Sequence, residues 1–359
     1  LKDEQASPGY YAVTLEGTGI RAELTASRRA ALHRYTFPPG GQARVVVDFS
    51  AGGIDFSRMR TFPAEAEVVL VGSKCAQGHV TMAGMRLYIY VETDSAGGAS
   101  ALWLDKRELA ERRALTLSHI NEADFQPFGA VFDAMPTDRE IHVRAGFSLR
   151  SVEQARANAR DVAGKSFTQV RQETERLWAA YAGRIQISGG TEAQKTTFYS
   201  SLYHSLVKPA NWHGESPYWD DAAGGGGAFY VDFATMWDQY KTQLPLVLTL
   251  YPEHGRDIIN SLLSLAEYAG GFPNGFVLNA NLHQFDNQAR ALTLVRAPDD
   301  ATIYGVVFDD VDEDGQRDAA EPGLAGVLLT LDGITTTTTA PDGTYSFVVA
   351  TPMTHTLVE

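Results

Sequence analysis

Twelve residues near the C-terminus carry the sharpest chemical spacing in this chain of 359 residues. Asp310, Asp312, Asp314, Gln316, Asp318 and Glu321 occupy the spacing of an oxygen-ligand loop, with Gly315 where such a loop turns tightly. Gln316 would act through its backbone carbonyl. The other five side chains are carboxylates, and their mutual repulsion is relieved by a divalent cation, so the spacing predicts calcium binding; a solvated acidic loop is the bland alternative. A second stretch has a different chemistry. Between Trp212 and Tyr230 lie His213, Tyr218, Trp219, Asp220, Asp221 and the glycines 224–227, followed by the pair Trp237-Asp238. Aromatic rings cover the apolar faces of sugars and carboxylates accept their hydroxyl hydrogens, so this stretch suits a sugar pocket.

The elements that must position these residues can be read from periodicity. Thr191-Glu192-Ala193-Gln194 has capping-box spacing and starts a helix in which Phe198, Leu202 and Leu206 share a face. Thr235 could cap a further helix carrying Trp237 and Asp238, placing the Asp238 carboxylate at free backbone N–H groups. First-turn capping by Asp238 and core packing by Trp237 use the same letters. His204 lies one residue beyond the apolar stripe and reads as a partly buried, hydrogen-bonded imidazole. Residues 151–183 repeat at three and four, with Val152, Ala155, Ala159 and Val162, then Phe167, Val170, Thr174, Leu177 and Tyr181. Ser151 and Ser166 are possible caps flanking Gly164, giving one interrupted helix or two consecutive ones that pack on the preceding domain.

Residues 1–150 read as all-β. Arg44–Phe49, Glu67–Val71, Arg86–Val91 and Glu140–Phe147 are short β-branched or aromatic runs between turn residues, which implies a β-sandwich. Gly17-Thr18-Gly19 has letters of a dinucleotide fingerprint, but strand-like alternation follows it and a hairpin turn is expected.

Phe198–Pro209, Trp237-Asp238 with Tyr240, Pro245-Leu246, and Ser261-Leu262-Leu263 leading to Gly270-Gly271-Phe272-Pro273 resemble the opening helices of glycoside hydrolase family 92. Gly9–Leu15, Ala22–Arg28 and His33–Pro38 resemble that family's N-terminal β-sandwich. The resemblance spans roughly residues 9–292. It implies a calcium-dependent exo-α-mannosidase, acting by inversion on mannose-terminated glycans, with α-1,2 linkages as the expected substrate. Trp237 and Asp238 would contact mannose, helped by Trp212 and Tyr218. The family usually has Arg where this chain has Lys241, which cannot make the planar two-donor fork. The family's acid, base and calcium ligands lie further along the toroid than this chain goes, and His283 and Asp286 supply no pair. The chain is therefore expected to be a mannosidase cut within its catalytic domain and inactive as it stands.

Residues 301–359 resemble the SdrD B-like repeat of bacterial surface proteins, in which calcium stiffens a small β-sandwich. The expected architecture is multidomain: an N-terminal β-sandwich (1–150), linker helices (151–190), a partial all-α (α/α) toroid (191–293) and a small Ig-like or prealbumin-like β-sandwich (301–359). A noncatalytic, calcium-stiffened glycan-binding or spacer protein is the alternative function.

Composition narrows the classes. Hydrophobic residues make up 44% of the chain, and no apolar run approaches the ~20 residues of a bilayer span. Ten acidic residues against one basic residue after Ala301 account for −9 of the net −14, a distribution that repels nucleic acid. Cys75 is the single cysteine, which rules out an intrachain disulfide or a Cys-based zinc site. No signal-like segment follows Leu1, and the resemblance alone implies an extracellular or bacterial cell-surface location.

Overall fold

The computed structural model describes residues 1–40, 43–50, 65–82, 85–95, 98–118, 126–134, 139–219, 227–233, 239–269, 301–311, 317–318, 320–331, 335–349 and 357–358. Two compact units divide the chain, Leu1–Ala291 and Leu292–Glu359.

The first unit begins with strands β1 (Lys2–Ser7), β2 (Tyr10–Thr14), β3 (Arg21–Ala26), β4 (Ala30–Thr36), β5 (Arg44–Asp48), β6 (Glu65–Val71), β7 (Cys75–Met82), β8 (Met85–Thr93), β9 (Ser100–Leu104), β10 (Arg107–Leu109), β11 (Ala114–Ser118), β12 (Phe128–Asp133) and β13 (Glu140–Ser148). They form one sheet in the order β1-β2-β3-β4-β13-β8-β7-β6-β11 and a second in the order β10-β9-β12-β5. Phe49, Val68, Leu70, Leu102, Phe128, Phe132, Ile141 and Val143 fill a shared core. Alternation explains the layering. In β6, Ala66, Val68 and Leu70 point inward while Glu65, Glu67 and Val69 are half-buried and Val71 is exposed. The expected turn at Gly17–Gly19 is a hairpin between β2 and β3, with Gly19 at φ +71° donating to Leu15 O.

β13 serves both faces of the larger sheet. Ile141 and Val143 enter the inter-sheet core, but the burial phase then shifts, and Gly146 and Ser148 are buried. Gly146 lies beneath helix α1 (Val152–Ala159): a Cβ there would sit 2.1 Å from Ala155 O and 2.6 Å from Ala159 N, so only glycine admits the helix. The interrupted stripe resolves into two helices, α1 followed by a short 3₁₀ turn at Arg160–Val162, then α2 (Phe167–Ala182). Ser151 accepts from Gln154 N, and Ser166 and Gln169 form a complete capping box. Val162, Phe167 and Val170 pack on Tyr10, Ala12, Ala30 and Leu32, so this face covers the sandwich. Leu177 departs from the stripe and is exposed.

Helix α3 (Glu192–Val207) starts on the expected box, with Thr191 and Gln194 capping reciprocally. Leu202 is buried, whereas Phe198 and Leu206 are only half covered and His204 is exposed beside the Tyr203 ring. His204 is thus not the partly buried imidazole expected. Helices α4 (Gln243–Leu250) and α5 (Pro252–Ala269) follow and bury Leu244, Val247, Ile258, Leu262 and Leu265.

The second unit pairs β16 (Ala301–Val306) with β19 (Thr344–Val349), and sets β17 (Leu328–Leu331) between β18 (Thr335–Thr338) and β20 (Leu357–Val358). Leu329, Leu331 and Phe347 form its small core. The threonine run is the edge strand β18.

Candidate functional site

The aromatic interval after α3 is a closed excursion. β14 (Ala210–Asn211) pairs with β15 (Tyr230–Val231), and Trp212 N donates to Phe229 O and Gly214 N to Gly227 O. Gly227 sits at φ +72°, and a Cβ there would come 3.0 Å from His213 Nε2. Beneath the loop, Phe229, Tyr230, Val231 and Phe233 are almost fully buried. The Tyr230 amide donates to Ser261 Oγ at 2.8 Å, tying the loop base to α5.

Glu215 anchors the loop to the sandwich. Its carboxylate is 1% exposed, so every oxygen lone pair must be satisfied internally. Oε2 accepts from Ser148 Oγ at 2.5 Å and Leu149 N at 3.1 Å, and Oε1 accepts from Asn158 Nδ2 at 2.6 Å. Arg29 Nε lies 3.8 Å from Oε1. The end of β13, helix α1 and the β3–β4 turn therefore converge on one side chain. Immediately after it, Ser216 Oγ accepts from Tyr218 N and Trp219 N and turns both rings back over Phe229.

A second polar cluster lies behind the loop. His254 on α5 has Nδ1 2.9 Å from Tyr230 Oη and Nε2 2.5 Å from Tyr181 Oη on α2. Asn211 donates to Tyr230 Oη at 3.0 Å. Burial holds the His254 pKa below its ordinary value, opposed by Glu253 and Asp257 and aided by Arg184 and Arg28. Asp232 closes the loop in a left-handed conformation, φ +69°, and is 6% exposed. For a non-glycine residue this is stored backbone strain of a kind common at functional sites.

Together these anchors shape a cleft of about 760 Å³. The sandwich contributes Thr81, Arg86 and Tyr88. The connection to α1 contributes Leu149 and Arg150, the loop Ser216 to Trp219, and α5 Tyr268. Tyr218 and Tyr268 have ring centroids 4.8 Å apart. Burial, with the nearby Tyr268, pushes the Tyr218 hydroxyl up to about 12, so it remains a neutral donor. Among the described residues lining the cleft none is Asp or Glu, so they do not supply the carboxyl pair of glycosidic cleavage.

Of the residues expected at a sugar site, Tyr218 lines this cleft. Trp212 is half-buried and does not line it, and His213 is exposed. Trp237, Asp238, Thr235, Asp220, Asp221, His283 and Asp286 lie outside the described residues. Lys241 is exposed, with Nζ 5.7 Å from the Tyr240 ring centroid. Glu215, His254 and Asp232 were not singled out by spacing. Only the exact burial of single polar letters in apolar surroundings marks them, and that is a tertiary property.

In the second unit, Glu321 is 6% exposed and its two oxygens accept from Val311 N and Asp318 N, both at 2.9 Å. This clasp joins the two ends of the acidic loop. Asp310 and Asp318 flank it, while Asp312, Asp314 and Gln316 lie outside the described residues. Among the described residues no group of three or more His, Cys, Asp or Glu side chains is placed to hold a metal. No helix among them is long and apolar enough to cross a membrane.

Comparison with known proteins agrees with this layout. The model of the glycosyl hydrolase family 92 N-terminal domain matches residues 1–148, and that of the family's catalytic domain matches residues 154–294. An uncharacterized secreted glycosidase of Arthroderma benhamiae is 25% identical over 263 residues, covering 67% of this chain and 32% of the relative. A family GH92 inverting mannosidase from Bacteroides thetaiotaomicron superposes with a TM-score of 0.66 at 20% identity, over 83% of this chain and 41% of that one. A GH92 α-mannosidase from the same species, bound to mannoimidazole, gives 0.63 at 22% identity, over 77% and 37%. The chain thus spans about a third to two fifths of the length of these relatives. Across residues 1–294, the sheet-rich domain and the helical region that follows it belong to glycosyl hydrolase family 92.

Proposed function

We propose that this chain is the glycan-recognising portion of a secreted exo-α-mannosidase of the inverting type, acting on mannose-terminated glycans with α-1,2 linkages. The observation that carries this is the aromatic cleft at the junction of two domains that both match the family. Trp237 and Asp238 would contact the terminal mannose, with Tyr218 in the adjoining wall and Trp212 supporting the loop. The helices after residue 190 would be the opening of an (α/α) toroid. The described residues that line the cleft supply no carboxyl pair, so what they would perform is recognition of the glycan rather than its cleavage.

The test is mannose release from α-1,2-linked mannobiose, with calcium and then with a chelator. No release, together with saturable binding of the mannobiose, is expected. Release abolished by chelation would show that a working carboxyl pair exists within the chain.

A second reading concerns residues 301–359, in the manner of an SdrD B-like calcium-stiffened module with an Ig-like or prealbumin-like sandwich, on an extracellular or bacterial cell-surface protein. It is favoured by the Glu321 clasp, which already closes the loop at both ends. Asp310, Asp312, Asp314, Asp318 and Glu321, with the Gln316 carbonyl, are oxygen donors of the kind that hold calcium. The ion would supply rigidity and no chemistry.

A further inference from the structure

A directed chain of hydrogen bonds runs from the base of the aromatic loop to helix α2. The His213 amide donates to Asn211 Oδ1 at 2.9 Å, which turns the Asn211 Nδ2 group toward Tyr230 Oη, 3.0 Å away. Tyr230 Oη lies 2.9 Å from His254 Nδ1, and His254 Nε2 lies 2.5 Å from Tyr181 Oη. Counting hydrogens fixes the direction. Tyr230 is 3% exposed, and among the described residues only Asn211 and His254 reach its hydroxyl. Asn211 presents a donor there, so the Tyr230 hydrogen has one acceptor, the lone pair of His254 Nδ1. The imidazole hydrogen is thereby assigned to Nε2, from which it donates to Tyr181 Oη. The opposite tautomer would aim two donors at Tyr230 Oη and leave its own hydrogen buried without a partner, which is costly.

Three elements meet on this ring. Helix α5 carries His254, α2 carries Tyr181, and the β14–β15 pair that closes the aromatic loop carries Asn211 and Tyr230. Ser216 to Trp219, held between those two strands, form one wall of the cleft. We infer that this chain is a pH-sensitive latch: neutral His254 ties the base of the aromatic loop to α2 and α5, and a proton taken up at Nδ1 unties it and lets the cleft wall move. An imidazolium donates from both nitrogens, so it meets Tyr230 Oη as a second donor and strands the tyrosine hydrogen. The charged groups around the ring are Glu253 and Asp257 from α5, Arg184 just beyond α2, and Arg28 from the β3–β4 turn. Glu253 is paired with Arg184, and Asp257 lies 3.9 Å from Arg256 Nε. Burial, with Arg184 and Arg28, favours the neutral ring, and the two carboxylates oppose it. The latch is therefore closed at neutral pH and opens on the acid side of about 6.5.

The test follows amide exchange of the full chain by mass spectrometry between about pH 7.5 and pH 5, corrected for the intrinsic pH dependence of exchange. Imidazole nitrogen NMR reports the tautomer and titration of His254 alongside. Residues 210–219 and 227–233 should lose protection by about tenfold, the factor that one buried hydrogen bond contributes, at the midpoint of the His254 titration. Strands β7 and β8 should keep theirs, and at neutral pH the ring hydrogen should be found on Nε2. His254→Gln offers Tyr230 a carbonyl and Tyr181 an amide without a titratable group, so it should keep the protection and lose the pH step. Tyr230→Phe removes the stranded hydrogen itself: its loop should exchange faster at neutral pH and show a smaller step, which keeps the inference testable if the glutamine variant fails to fold. A pH step unchanged in either variant overturns the latch, as does a ring hydrogen found on Nδ1 or the absence of a step while His254 titrates. Equal loss of protection in β7 and β8 overturns it as well, because acid then weakens the whole unit and not the loop.

Discussion

Replacing Glu215 by glutamine is the sharpest perturbation the fold offers, because it changes one atom type in a sealed site. Glutamine keeps a single acceptor oxygen. If that oxygen takes the Ser148 and Leu149 donors, its amide faces Asn158 Nδ2, donor against donor. Asn158 cannot invert to relieve this: Oδ1 already accepts from Gln154 Nε2, and Nδ2 also donates to Phe147 O. The variant therefore loses one charge-assisted bond, strands a buried donor, and removes the anion 3.8 Å from Arg29. Breaking a buried ionic network of this kind costs about 3–5 kcal/mol. Stabilities of folded domains total about 5–15 kcal/mol, so the loss is a large share of the whole. At roughly 2–4 °C per kcal/mol for a domain of 150–250 residues, the melting midpoint of the first unit should fall by roughly 6–20 °C. Scanning calorimetry of the full chain measures this, and amide exchange at residues 214–219 should accelerate in parallel. A Ser148→Ala companion removes one donor, and the double variant should cost less than the sum of the singles. A midpoint within about 2 °C of the parent would refute the reasoning, since it would mean that water reaches Glu215 or that the network is not closed.

Acidification should weaken the fold through His254. Its folded pKa lies below the ordinary value of about 6.5, so the unfolded chain takes up the proton first and stability drains away as pH falls through about 6.5 toward the folded value. His254→Gln cannot titrate, so the stability difference between parent and variant should shrink between about pH 7.5 and pH 5; a difference constant over that window would sink the assignment. His142 behaves oppositely. The hydrogen bond to Asp94 raises its pKa, so its contribution is complete below about 6.5 and is lost as pH rises through the folded value, and Asp94→Asn should flatten that limb. Calcium should raise the melting midpoint of residues 301–359, and the pair Asp312→Asn with Asp314→Asn should abolish the shift without lowering the metal-free midpoint. An unchanged calcium response would remove those residues from the ligand set. Limited proteolysis should cut the helical region before the sandwich, because Val207, Tyr240, Leu248 and Tyr268 present 38–60% exposed apolar or aromatic surface. Equal resistance would show that this surface is covered in solution.

Local signals were strong wherever a property repeats along the chain. Capping boxes at Ser166 and Thr191, the hairpin at Gly17–Gly19 and the alternation in β6 are all governed by residues a few positions apart, and they form as the letters dictate. Family membership was legible for the same reason, since its motifs are short contiguous blocks in a fixed order. The cleft was only partly legible. Tyr218 belongs to an aromatic run and could be suspected, but Arg86 and Arg150 are ordinary surface letters until β8 and the α1 connection bring them together. Glu215 was invisible to spacing because its partners lie 57 and 66–67 residues away in the chain. Gly146 reads as a weak point in a strand, yet it is where α1 approaches the sheet too closely for any side chain. Composition and periodicity determined which segments would be strand or helix, because backbone hydrogen bonding and one-sided burial are local demands. Which polar groups would be sealed from water, and hence which could bind or titrate, was decided by the packing of sandwich, loop and helices, because desolvation depends on everything that surrounds an atom and not on its neighbours in sequence.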